Sequence, residues 1–231
     1  MLMSLVGGAA FLITALGVLV AAISLIYSLL VHRPDRARSI LKWILIGLGS
    51  YFGMLLLVSF TSRERVLGLK EEKKFCGADC DLAFSVVNVT RTKTLGPPPQ
   101  KNAAGIYYLV TVKVRSDAAR VTMKPDHPEA TVIEDQGKSY HYPSDGQQAL
   151  ASVQGQDLPF AQEIGPGAAY TKDLVFDLPA HVNNPCLIIT EGAWITRLII
   201  GDENSLFHKK TKIRLEPIEQ QGQTAEVSKR R

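Results

Sequence analysis

Two long stretches of this 231-residue chain lack charge altogether. No charged side chain occurs from Met1 to Val31, and none from Trp43 to Ser62. A bilayer core about 30 Å thick is crossed by roughly 20 apolar helical residues, so each stretch is long enough to span. A basic leader is lacking too. Nothing in Met1–Ser4 is charged, and the apolar run far outlasts the roughly 7–15 residues of a signal-peptide core, which favours a retained helix. No phosphate-binding glycine loop, zinc-ligand spacing or nucleic-acid motif occurs, so no nucleic-acid partner is expected. Cysteine is down to three residues, and Met123 is the one methionine outside the apolar stretches.

What is present organises itself around those runs. The expected anchor is a transmembrane helical hairpin over residues 1–62, with spans at about 4–31 and 43–62 joined by a basic loop, 32–42. Arg33, Arg36, Arg38 and Lys42 stand in that loop against Asp35 alone. Short basic loops stay cytoplasmic, which places both termini outside the cytoplasm. Arg63, Arg65, Lys70, Lys73 and Lys74 make the far side basic as well. The first helix decides the orientation, because no charge precedes it and four basic residues follow. Gly17 and Ala21 on the first helix, and Gly49 and Gly53 on the second, are small residues four apart, the spacing that lets helices approach closely in lipid. They are the expected packing surface of the hairpin.

Cys76 and Cys80 flank Gly-Ala-Asp, a sequence that turns easily. A Cys76–Cys80 disulfide is expected, in keeping with an oxidising compartment. Cys186 is then left as a buried thiol, while its pairing with one of the other two remains the rival arrangement.

After a charged juxtamembrane linker, 63–74, the apolar period changes to two. Strands are expected at Leu82–Val89, Ile106–Val114, Ala130–Glu134, Tyr140–Tyr142, Tyr170–Phe176, Leu187–Thr190, Ile195–Ile200 and Thr211–Leu215. Turn signals separate them, among them Ser144-Asp145-Gly146 and Asn183-Asn184-Pro185. No sustained helical period is read beyond residue 74, and the polar tail 217–231 is expected to be disordered. Short strands with intervening turns predict an all-β sandwich. Val86-Val87-Asn88-Val89, Tyr108-Leu109-Val110-Thr111-Val112, the hairpin Ile133–Tyr140, and Ile164-Gly165-Pro166-Gly167 leading to Leu174–Pro179 together resemble an immunoglobulin-like domain of unknown function. That domain is found in bacterial envelope and membrane-anchored proteins. The resemblance covers residues 75–216. It implies an immunoglobulin-like fold, and it brings no catalytic residues with it.

Chemical constellations are thin. Two membrane helices before a β-sandwich also describe subunit II of cytochrome oxidase, whose copper ligands follow Cys-x3-Cys-x3-His. Cys76 and Cys80 have the first spacing, but Phe84 stands where the histidine is required. His141, Ser144 and Asp145 crowd into one turn, where a catalytic triad rarely finds its geometry. His127, His181 and His208 lack ligand spacing. The stretch Phe207-His208-Lys209-Lys210 is basic and suits a solvated face or lipid headgroups. Asn88-Val89-Thr90 matches a glycosylation sequon inside an expected strand. The expectation is an integral membrane protein of the inner or plasma membrane. Its β domain would be extracytoplasmic, with a non-enzymatic binding, scaffolding or envelope-assembly role and no cofactor or small-molecule substrate. Its expected partners are the lipid bilayer and an envelope or membrane protein. A redox subunit built on the cysteine pair is the alternative.

Overall fold

The computed structural model describes residues 2–75, 81–98, 100–155 and 159–216. Two apolar helices open the chain, α1 (Leu2–Leu30) and α2 (Pro34–Thr61). Pro34 begins α2, where its fixed φ suits a helix and its missing N–H costs nothing. His32, at φ 55°, turns the chain between them. The connection is shorter than the expected loop, since Arg36, Arg38 and Lys42 all lie on α2. Arg33, Arg36, Arg38 and Lys42 are all exposed.

Burial along the helices recurs every three to four residues. On α1 it falls at Gly7, Phe11, Thr14, Val18, Ala21, Leu25 and Ser28; on α2 at Ala37, Ile40, Ile44, Leu48, Tyr51, Leu55 and Ser59. That spacing is the seam of two helices wound closely side by side. The small-residue expectation needs correcting here. Gly17, Gly49 and Gly53 have nothing within 4 Å of where a Cβ would lie. Those three glycines are exposed and lie off the seam, and only Ala21 of the four lies on it.

The remainder is mostly β, in two sheets. The five-stranded sheet runs β1-β9-β8-β5-β6, from β1 (Val66–Leu67), β9 (Lys212–Arg214), β8 (Cys186–Thr190), β5 (Glu129–Ile133) and β6 (Ser139–His141). The four-stranded sheet runs β2-β3-β4-β7, from β2 (Lys73–Phe75), β3 (Leu82–Leu95), β4 (Lys101–Ser116) and β7 (Ala169–Leu178). Alternation on β4 sends Tyr108, Val110, Val112 and Val114 inward. There they meet Phe84 and Val86 of β3, Leu174 and Phe176 of β7, and Val132, Leu187, Ile189 and Ile213 of the opposite sheet. Burying such side chains supplies roughly 1.5–3 kcal/mol each, an upper estimate. Gly167, at φ 67°, makes the turn that launches β7, and β7 stops before Pro179.

Three departures from the sequence expectation stand out. Residues 63–74 are more than a linker, because β1 pairs in parallel with β9 and β2 pairs with β3. Ser144–Gln154 forms a helix, α3, where only a turn was expected. Leu150 of α3 packs with Leu95, Tyr107 and Val175 on the outer face of the four-stranded sheet. The Gln147 amide donates to the Asp173 carbonyl (2.9 Å) and accepts from the Val175 N–H (3.4 Å), standing in for a neighbouring strand along the edge of β7. Finally, Trp194–Leu198 is a 3-10 turn, so Ile195–Ile200 is no strand.

Candidate functional site at the junction of helices and β domain

The segment between β8 and β9 folds back onto the helical hairpin. Its Leu198 carbonyl accepts the Tyr51 hydroxyl at 2.7 Å. Phe207 stacks on Phe60 with ring centroids 5.6 Å apart and planes 19° off parallel. The Lys209 N–H donates to the Ser62 hydroxyl oxygen at 2.9 Å. Gly7 lies so close that a Cβ there would fall 1.8 Å from the Ile200 carbonyl oxygen. Gly7 is thus the glycine of the hairpin that a close approach requires, and the approach is to the β domain.

The same segment helps to line a cleft of about 350 Å³, whose walls include His127, Glu129, Trp194, Arg197, Asn204 and Lys210. Charged groups crowd behind it. The Lys73 ammonium, on a residue only 3% exposed, donates to Glu203 Oε1 and to the Ile189 carbonyl, both at 2.6 Å. It also lies 4.5 Å from the centroid of the Phe75 ring. Glu203 Oε1 accepts the Thr211 N–H as well. Glu191 Oε1 accepts the Asp126 N–H at 2.9 Å, while its buried Oε2 has no partner.

Burial dominates the electrostatics. Desolvation pushes the Lys73 and Lys210 ammoniums below the ordinary lysine range, and pushes Glu191 and Asp202 above the ordinary carboxylate range. Four groups are therefore biased toward their neutral forms, as in a pocket poor in water. Such a cluster beside a cleft marks a binding surface more often than an ordinary face does. Among the described residues, no group of three or more His, Cys, Asp or Glu side chains is placed to hold a metal.

The residues singled out from sequence are scattered. Cys76 and Cys80 lie outside the described residues, as does the tail 217–231. Cys186 is a free, buried thiol, pushed up from its ordinary pKa by desolvation, so the rival bridge to it is not formed. Phe84, at the position where a copper site would need histidine, is fully buried, with edge contacts to Phe75 and Phe160. Ser144 donates to Asp145 at 3.3 Å, but Asp145 is paired with Lys101 at 2.7 Å and His141 faces Thr131 instead. Asn88 donates to Thr90 within β3 at 3.3 Å. The site missed in the sequence is the run Trp194–Ile200. Its usable signal is an arginine set inside a mostly apolar stretch.

No protein-family model matches the chain, and no curated protein matches it by sequence. Solved structures resemble it distantly. A secreted protein from Mycobacterium tuberculosis, MPT63, is 15% identical, with 68% of this chain and 100% of that one covered at a TM-score of 0.41. The yjhA protein from Bacillus subtilis is 10% identical, covering 64% and 99% at a TM-score of 0.44. An uncharacterised β-sandwich protein from Clostridium difficile 630 is 9% identical, covering 67% and 96% at 0.38.

Proposed function

We propose that the chain is a membrane-anchored, extracytoplasmic β-sandwich of immunoglobulin-like type with a non-enzymatic binding or scaffolding role. One observation carries the reading. Large apolar side chains cover the outside of the helical hairpin, including Leu12 (68% exposed), Ile13 (72%), Leu30 (72%), Trp43 (68%) and Phe60 (66%). A continuous apolar exterior on two helices of 29 and 28 residues suits lipid as its surroundings. The four exposed basic residues at the closed end of the hairpin favour a cytoplasmic position for that end. The β domain then lies at the opposite surface, tied to the hairpin by Tyr51, Phe60 and Ser62.

Those ties hold the domain in one orientation, which suits a platform for another envelope or membrane protein. Alkaline carbonate washing is expected to leave the chain in the membrane pellet. Alkaline phosphatase fused after Leu215 is expected to be active, and a fluorescent protein fused there to be dark. Release by carbonate, or the opposite pair of reporter results, would overturn the proposal.

A further inference from the structure

Among the described residues of the β domain, four of the eight exposed large apolar side chains fall within the fourteen residues from Trp194 to Phe207: Trp194 (70%), Ile195 (36%), Leu206 (39%) and Phe207 (67%). They belong to the segment that runs along the hairpin. Phe207 meets Phe60, one residue from the end of α2, whereas Leu198 meets Tyr51. Tyr51 lies ten residues before Thr61, so the contact sits about 15 Å further down the helix axis at the usual rise per residue. The segment therefore reaches well below the end of the hairpin.

Its backbone is built for such a place. The Ile199 N–H donates to Thr196 (3.1 Å), Asp202 to Ile199 (3.3 Å), Ser205 to Asp202 (3.0 Å), Leu206 to Arg197 (3.1 Å) and His208 to Ser205 (3.1 Å). The buried Ser205 hydroxyl donates to the Ile199 carbonyl, and Tyr51 serves Leu198. Irregular backbone beside lipid must satisfy its polar groups internally, and much of this segment's backbone is paired in that way. Phe207 adds strain: φ is 63°, a left-handed conformation that a bulky residue rarely adopts. Stacking on Phe60 holds it there. Arg197 is exposed on the same segment, and Lys209 is exposed just beyond it.

We infer that Trp194–Phe207 is a membrane anchor, inserted beside the hairpin in the leaflet where α2 ends. Trp194, Ile195, Leu206 and Phe207 face the acyl chains, while Lys209, just beyond the segment and tied to Ser62 at the end of α2, faces lipid phosphates. The inference rests on the spanning hairpin proposed above.

The two tryptophans separate the claims. Trp43 lies on α2 and Trp194 on the segment, and both are exposed, so replacing either leaves the core intact. The full chain is reconstituted in phosphatidylcholine–phosphatidylglycerol vesicles with brominated or ordinary acyl chains. In Trp43→Phe only Trp194 emits; in Trp194→Phe only Trp43 does. Both variants are expected to lose about half or more of their fluorescence in brominated lipid. Quenching of Trp43 with Trp194 unquenched overturns the inference and leaves the hairpin standing. Quenching of neither overturns both. Quenching of Trp194 alone overturns the spanning hairpin, and with it the inference that rests on it.

Discussion

Lys73 and Lys74 are neighbours in sequence, and their replacement by alanine should give very different results. The Lys74 side chain is 45% exposed and pairs with Asp117 at 2.7 Å. Exposed pairs of this kind contribute little. The Lys73 side chain is 2% exposed and joins three elements: its own strand β2, the Ile189 carbonyl on β8, and Glu203 in the junction segment. β9 pairs with β8 only at Cys186 and Leu187. The ammonium thus supplies a donor to Ile189 beyond the end of that ladder. Lys73→Ala removes two charge-assisted hydrogen bonds and strands a buried carbonyl. Glu203 keeps the Thr211 N–H and its side chain is 22% exposed, so its own penalty is softened. The net cost should be about 3–4 kcal/mol, at the lower end of what breaking a buried pair costs. For a domain of this size that lowers Tm by roughly 10 °C. Tryptophan fluorescence melts of the full chain in detergent measure it. Lys73→Met combined with Glu203→Gln should recover at least half of the loss, because an absent pair is cheaper than a broken one. A Lys73→Ala chain as stable as Lys74→Ala would refute the reasoning.

Other outcomes follow from single features. Leu150→Ala should cost about 2–4 kcal/mol, read by the same melt, if α3 is part of the fold and not a surface turn. Glu191 prefers its protonated form in the fold. That contribution is full below its ordinary value of 4.5 and is lost as pH rises through the raised folded value. The melting temperature of the wild type relative to Glu191→Gln should accordingly rise as pH is lowered from 7 toward 4.5, and a difference flat with pH would contradict the desolvation argument. The denatured chain should show one free thiol under thiol counting, at Cys186, with the Cys76–Cys80 peptide recovered oxidised by mass spectrometry. Replacing both Cys76 and Cys80 with Ser should lower stability by about 2 kcal/mol or less, given the short loop between them.

How much of this was readable in advance depended on whether a residue's role is local. The helices were, since an uncharged run of this length has few other uses. The strands β3, β4 and β7 were, because alternating apolar residues and the turn at Gly165-Pro166-Gly167 act within the strand itself. α3 was hidden because Ser144-Asp145-Gly146 are turn formers and the helix buries only one narrow face, at Gly146, Gln147 and Leu150. Ile195–Ile200 has a strand's composition, yet its neighbours are Gly7 and Tyr51, some 150 residues or more away in sequence. No local pattern reports that contact. The glycines of the hairpin misled for the same reason: spacing four apart is common, and only the three-dimensional fold singles out Gly7. Lys73 read as a linker charge because nothing beside it in sequence shows that Glu203 will bury it.

The central claim is that a spanning hairpin carries the β domain on the side away from its basic turn. It is tested most directly by labelling with a membrane-impermeant maleimide on intact cells. Cys76, Cys80 and Cys186 are first replaced by Ser, and single cysteines are then placed at exposed positions by Lys138→Cys, in the β5–β6 hairpin, or Arg36→Cys, near the start of α2. Labelling of Lys138→Cys on intact cells, with Arg36→Cys reacting only after permeabilisation, is the predicted result. Labelling of Arg36→Cys but not Lys138→Cys on intact cells would contradict it.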